Sequence, residues 1–195
     1  MIIGKHAVTT ETPGKILLGA GTYLKGLKWD SATSNWAGTP MGATNGGGKI
    51  SIKGELMDLE VDGMLVKVKG MTVKQGGTAS AEVSYAELTK DVVKMGTLFE
   101  EAEESDVNGF VLLKDKARIT EGDYIDDFGF VGYMADGVTP IIVIFESALC
   151  TSGFDVETKN KEQSVVKLTL EAVAKNEGNL DTLPVKIYYP EPVAG

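Results

Sequence analysis

The sequence predicts a mainly β fold, a β-sandwich or barrel of about eight strands with one flanking α-helix, and three observations carry that expectation. Glycine numbers 24 against 6 prolines, a surplus that suits turns and bulges and disfavours long helices. Apolar and polar residues alternate with period two over several stretches, two of them broken by the hairpin dipeptide Asp-Gly at Asp62-Gly63 and Asp136-Gly137. Helical spacing occurs in one place, from Leu88 through Val92 and Met95 to Phe99.

Taken in order, residues 14–24 are apolar and punctuated by glycine, which predicts a first strand with a bulge or close backbone approach at Gly19 and Gly21. Residues 25–48 break that pattern with Asp30, Pro40 and the run Gly46-Gly47-Gly48, and read as a long loop of the kind that carries function. Both tryptophans, Trp29 and Trp36, lie in it. From Lys49 the alternation resumes, with Ile50, Ile52 and Leu56 on one face and, after a bulge near Met57-Asp58, Leu59 and Val61 on the other phase. Asp62-Gly63 then leads to Met64, Val66 and Val68, so 49–69 is expected to form one long hairpin. A further strand is expected at 71–83. Ser84-Tyr-Ala-Glu87 has the form of a capping box and predicts a helix over 85–99, ended by the acidic run Glu100, Glu101, Glu103 and Glu104. Strands are expected at 107–120, 128–135, 138–149, 164–174 and 184–189, with Ile141 to Phe145 the most buried. A length of 195 residues fits one domain spanning 1–195.

Composition narrows function. With 43% hydrophobic and 24% charged residues the chain should fold. Its net charge of −9 repels phosphate, which argues against specific nucleic-acid binding; from charge alone it is explained first by solubility, and it also suits a surface past which DNA slides without sticking. Cys150 is the lone cysteine, so no intrachain disulfide forms, and a buried structural thiol is expected. The N-terminus lacks a signal-peptide pattern and no apolar run approaches a span of ~18 residues, so neither secretion by that route nor a membrane span is expected.

The chemistry of catalysis finds little to work with. His6 is the sole histidine, which removes the Ser-His-Asp arrangement and any multi-histidine metal site. Gly46-Gly47-Gly48-Lys49 suggests a phosphate loop, but Ala43 stands where that pattern needs glycine and Ile50 where it needs a hydroxyl. Gly19-Ala20-Gly21 begins like a dinucleotide fingerprint, yet Leu24 occupies the third glycine position. Asp123, Asp126 and Asp127 could ligate a hard cation, and Glu60 with Asp62 could act as acid and base, but neither group has the required spacing. No catalytic residue, cofactor or metal is therefore expected.

Met41-Gly-Ala-Thr-Asn-Gly-Gly-Gly-Lys-Ile-Ser-Ile, then Asp58-Leu-Glu-Val-Asp-Gly63, Val68-Lys-Gly70 and the opening Leu18-Gly-Ala-Gly-Thr-Tyr resemble the major tail tube proteins of long-tailed bacteriophages. The resemblance continues through Asp136-Gly, the strand at Ile141–Phe145, Glu146-Ser-Ala-Leu, Gly153-Phe-Asp and Pro184-Val-Lys-Ile-Tyr-Tyr-Pro190, and rests on the order of these pieces. It implies a virion protein, made in the bacterial cytoplasm, whose copies form rings, usually of six, that stack into a hollow tube for DNA. It also implies tape-measure, tail-completion and baseplate partners, and an acidic lumen. Trp29 and Trp36 are the candidate assembly contacts, and Glu55 and Asp58 the candidate lumen-facing acids. Two alternatives stand beside it: the tube of a contractile tail or type VI-like secretion apparatus, and a monomeric β-sandwich that binds carbohydrate through its tryptophans.

Overall fold

Leu17–Asp30 forms a 14-residue strand, β1, twice interrupted in register by glycine-bearing bulges, one between Leu18 and Thr22 and one between Lys25 and Lys28. The computed structural model describes residues 8–158, 160–175 and 180–191. His6 lies outside them. β1 turns at Ser31–Ser34 and returns as β2 (Asn35–Pro40), then β3 (Thr44–Asp58) and β4 (Thr72–Tyr85) form the longest hairpin. The α-helix α1 (Lys90–Thr97), the only one among the described residues, follows, and then a two-residue pair, β5 (Glu100–Glu101) with β6 (Leu113–Lys114). β7 (Ile125–Met134), β8 (Pro140–Cys150), β9 (Val166–Ala172) and β10 (Val185–Tyr188) complete the chain.

All strands but β5 and β6 join one antiparallel sheet in the order β2-β1-β7-β8-β9-β4-β3, with β10 also on β8. The sheet forks at β8. One edge of β8 gives Ile142 to Phe145 to β10 and Ala148 to Cys150 to β9. The fork and the bulges fold the sheet over a shared core, so the expected mainly β, sandwich-like fold with one helix is what forms. The barrel alternative is not adopted, because β2 and β3 each pair on one side only and the ring of strands stays open.

The core contains Tyr23, Val83, Tyr85, Val92, Phe128, Phe145, Leu168 and Leu170, all at 1% exposure or less. Tyr23 stacks on Phe128 at 5.9 Å, and Phe128 meets Phe145 at 5.7 Å. Burial raises the pKa of both the Tyr23 and Tyr85 hydroxyls. A smaller cluster of Leu27, Ile142 and Ile144, joined by Trp36, covers the other side of β8. Cys150 is buried within the main core, as its lone occurrence suggested.

Two glycines allow the fold-over. A Cβ on Gly48 would lie 2.1 Å from the Tyr23 hydroxyl oxygen and 2.7 Å from the Glu82 carbonyl, so only glycine lets β3 pass this close to β1. Gly21 has φ +67° and faces the Phe130 ring, 2.2 Å from where its Cβ would stand.

Four expectations are corrected. The 25–48 segment is no loop: it contains the end of β1, all of β2 and the start of β3. Asp30 Oδ1 accepts from Ala32 N at 2.9 Å and its Oδ2 from Thr33 Oγ1 at 2.8 Å, closing a polar hairpin turn. The 49–69 hairpin turning at Asp62-Gly63 does not form either, since β3 pairs with β4 and residues 59–71 are the loop between them. The helix starts at Thr89, whose Oγ1 accepts from Val92 N at 3.2 Å, and not at Ser84. Ser84 and Tyr85 are held in β4 by pairing with Lys167 and Val166. Within 107–120 only Leu113–Lys114 is strand.

Candidate functional site

The far half of the β3–β4 hairpin and its loop carry several highly exposed apolar side chains. β4 pairs with β9 from Ser80 to Tyr85, so at that end the hairpin belongs to the sheet. Beyond Gly54 and Gly77, which face each other, the two strands have only one another as far as Asp58 and Thr72. A two-stranded ribbon in water is marginal unless something covers a face. This arm nevertheless exposes Leu56 (70%), and its loop exposes Leu65 (97%), Val66 and Val68. Large apolar patches left exposed on monomeric proteins generally mark docking sites.

The second feature is the outer edge of β3. This strand has 15 residues and among the described residues is paired only with β4, which leaves about 50 Å of backbone at ~3.3 Å per residue with one edge open. Long open edges recruit further strands unless they are blocked. Proline is absent from β3, and its lysines, Lys49 and Lys53, lie on the same face as Glu55. β2 and β10 form shorter open edges of 6 and 4 residues.

Trp29 and Trp36 are cross-strand partners on β1 and β2, with rings edge to face at 5.5 Å. Trp36 is partly buried and also meets Tyr188 of β10 at 4.7 Å, so it folds back on its own subunit and ties the hairpin to the body. Trp29 is 52% exposed.

The two acidic candidates differ. Glu55 is exposed on the arm opposite Gly76. Asp58 forms an ion pair with Lys67 across the loop and accepts from Thr72 Oγ1 at 2.6 Å, and these hydrogen bonds hold its pKa below the ordinary carboxylate range. Its charge is thus matched within the chain, and its local role is to pin the loop's return to the end of the arm. Glu60 and Asp62 lie in the same loop and not on a strand.

The three aspartates read as a possible cation group are each engaged by a different lysine: Asp123 by Lys116 at 2.6 Å, Asp126 by Lys175 at 3.3 Å and Asp127 by Lys28 at 3.0 Å. Among the described residues no group of three or more His, Cys, Asp or Glu side chains is placed to hold a metal ion. Gly46-Gly47-Gly48-Lys49 is strand and not loop; it borders an open cleft of about 690 Å³, where Lys49 is bonded to Glu82 at 3.0 Å. Among the described residues no helix is long and apolar enough to cross a membrane.

Asp123 is nearly fully buried, and it ties together the irregular 115–124 segment through Lys116 and Thr120. Burial pushes its pKa up, but hydrogen bonds from Lys116 Nζ, Thr120 N at 2.7 Å and Thr120 Oγ1 outweigh that, and the carboxyl is held below its ordinary range. A depressed folded pKa contributes stability that is present above the unfolded carboxylate value and is lost as pH falls through the folded one. Lys116→Met is therefore expected to lower stability by about 1–3 kcal/mol at neutral pH. The gap from the parent should narrow as pH falls from neutral into the acid range, because protonation of Asp123 removes the charge that Lys116 pairs with. Urea unfolding at neutral and at acid pH measures this, and an equal gap at both would refute the assignment.

A scan of protein-family models finds no match to this sequence, and a comparison with curated proteins finds none either.

Proposed function

We propose that this chain is a structural subunit that assembles with copies of itself, pairing edge to edge into a ring and stacking into a hollow tube that conducts DNA, as the major tail proteins of long-tailed phages do. One observation carries the proposal: the 15-residue β3, which among the described residues has one edge open, ends in an arm that exposes Leu56, Leu65, Val66 and Val68. Strand addition to an open edge provides main-chain hydrogen bonds between subunits, and closing the ring removes the edge. The net charge of −9 keeps a DNA conduit from becoming a DNA-binding surface.

A carbohydrate platform gains less support, because Trp36 has one side against Tyr188 and the Leu27 cluster, and Trp29 alone offers an open face. Negative-stain electron microscopy of concentrated protein, with sedimentation velocity on the same sample, tests the assembly proposal. Hollow rings or tubes are expected, growing with concentration. A monomer at every concentration would overturn it.

A further inference from the structure

A glycine backbone nitrogen can attack the side-chain carbonyl carbon of the asparagine or aspartate before it and close a succinimide ring, because glycine has no Cβ to crowd the approach. Asn45-Gly46, Asn108-Gly109, Asp62-Gly63 and Asp136-Gly137 are the dipeptides of that kind in this chain, and the fold treats them differently. Asp136 is pinned: its Oδ1 accepts from Val138 N and Thr139 N, each at 2.9 Å, and its Oδ2 accepts from Thr139 Oγ1. The nucleophile beside it, Gly137 N, already donates to Met134 O at 2.9 Å. Asn45 lies within β3, between Thr44, paired with Tyr85, and Gly48, paired with Val83, and its Nδ2 donates to Gln163 Oε1 at 3.4 Å.

Asn108 and Asp62 instead occupy matching exposed turns. Phe110 N donates to Val107 O at 3.2 Å across Asn108-Gly109, and Met64 N donates to Val61 O at 3.0 Å across Asp62-Gly63. The glycines of the two turns have φ +83° and +87°, and among the described residues neither glycine N–H donates to a backbone carbonyl. Chemistry decides between them: an amide expels ammonia, whereas the ionised Asp62 carboxylate resists attack and would have to expel oxide. The Asn108 turn also stands at the tip of an excursion tied at its base by β5, β6 and the bond from Ala102 N to Leu112 O at 2.9 Å, so it opens without disturbing the main sheet.

The geometry points to Asn108 as a site of self-modification by deamidation. Gly109 N gives its proton to hydroxide and bonds to Asn108 Cγ, then the Cγ–Nδ2 bond breaks and ammonia leaves. Water opens the ring at either carbonyl, giving aspartate or isoaspartate, and no other co-reactant is needed. Either product adds a carboxylate to the segment 100–111, which already holds Glu100, Glu101, Glu103, Glu104 and Asp106 and has no lysine or arginine. Isoaspartate also routes the main chain through Cβ, and the added methylene removes the spacing that the Phe110 N to Val107 O bond requires. The inference concerns the single chain and does not rest on the assembly reading.

Incubation of the full chain in heavy-oxygen water tests it, with peptide mapping by mass spectrometry to locate the label and isoaspartyl methyltransferase to count isoaspartate. In the folded chain Asn108 is expected to convert at least about tenfold faster than Asn45, because a paired strand opens less often than an exposed turn. The rate should rise from neutral to mildly alkaline pH, as deprotonation of Gly109 N requires. In urea the two asparagines should convert within about threefold of each other, since the same dipeptide reacts in both and the fold no longer separates them. Asn108→Gln should abolish the signal at that peptide with circular dichroism unchanged, because closing the larger ring is slow. Equal rates at Asn45 and Asn108 in the folded chain, or an Asn108 that stays intact for as long as the urea-unfolded chain takes to convert, overturns the inference.

Discussion

Replacing residues 55–76 by Asn-Gly is expected to abolish assembly while leaving the subunit folded. Gly54 and Gly77 are directly opposed across the hairpin, so a two-residue turn closes the shortened arm without disturbing the register below it. Nothing in the deleted stretch belongs to either hydrophobic cluster, and the first buried residue of β4, Ala79, is retained. The stability of the monomer should therefore change by no more than about 1 kcal/mol, the cost typical of peripheral changes. Assembly should vanish altogether, since the deletion takes away Leu56, Leu65, Val66 and Val68 together with the distal part of the open β3 edge. Thermal unfolding and electron microscopy of the same preparation separate the two effects. Tubes formed by the shortened chain would show that the arm is dispensable and that the edge of the sheet alone drives assembly.

The same arm shows where sequence patterning is informative and where it misleads. Met64, Val66 and Val68 alternate as a strand would, and Asp62-Gly63 invites a hairpin, yet among the described residues the stretch joins no strand. Alternation reports that one set of side chains meets a different environment from the other. It does not say whether that environment belongs to the same subunit. The opposite error occurs at β2, where Asn35, Gly38, Thr39 and Pro40 hide a strand. An edge strand needs few apolar residues, and its signal was the pair of tryptophans themselves, which face each other across a turn closed by Asp30. By contrast β7, β8, β9 and β10 were legible to within a few residues. Their apolar residues face the chain's own core, and turn chemistry marks the joins: Asp136 Oδ1 accepts from Val138 N and Thr139 N, each at 2.9 Å, in the turn between β7 and β8.

The candidate sites followed the same division. Cys150 was legible because burial of a lone thiol depends on local apolar surroundings. The fate of Asp58 and Asp123 was not, because their partners Lys67 and Lys116 are brought to them by loops that no periodicity describes. The glycine run at 46–48 was recognisable as unusual, but the cause at Gly48 is the Tyr23 hydroxyl, on a strand 25 residues earlier in sequence, while Gly46 and Gly47 take positive φ. A requirement for small size imposed by a distant neighbour leaves no local signature.

Phe145→Ala is expected to be the most damaging single substitution in the body of the sheet. Phe145 is 1% exposed and stands at the fork, opposite Phe128 on β7 and opposite Val185 on β10. Its ring closes the chain of contacts that runs from Tyr23 through Phe128. Truncation loses the transfer free energy of the ring and leaves a cavity, together about 3–5 kcal/mol. That is a large share of the ~5–15 kcal/mol that holds a domain of this kind together. Two strand junctions share the loss, so β10, only 4 residues long and attached to β8 alone, should loosen before the rest. Hydrogen exchange would then show Val185 to Tyr188 losing protection at a denaturant concentration that leaves β7 and β9 intact. Because assembly adds to apparent stability by mass action, the measurement belongs on the monomer below its assembly concentration, or on the shortened-arm chain. A loss under about 1 kcal/mol would mean that the neighbouring rings collapse into the space and that the fork is not the centre of the core.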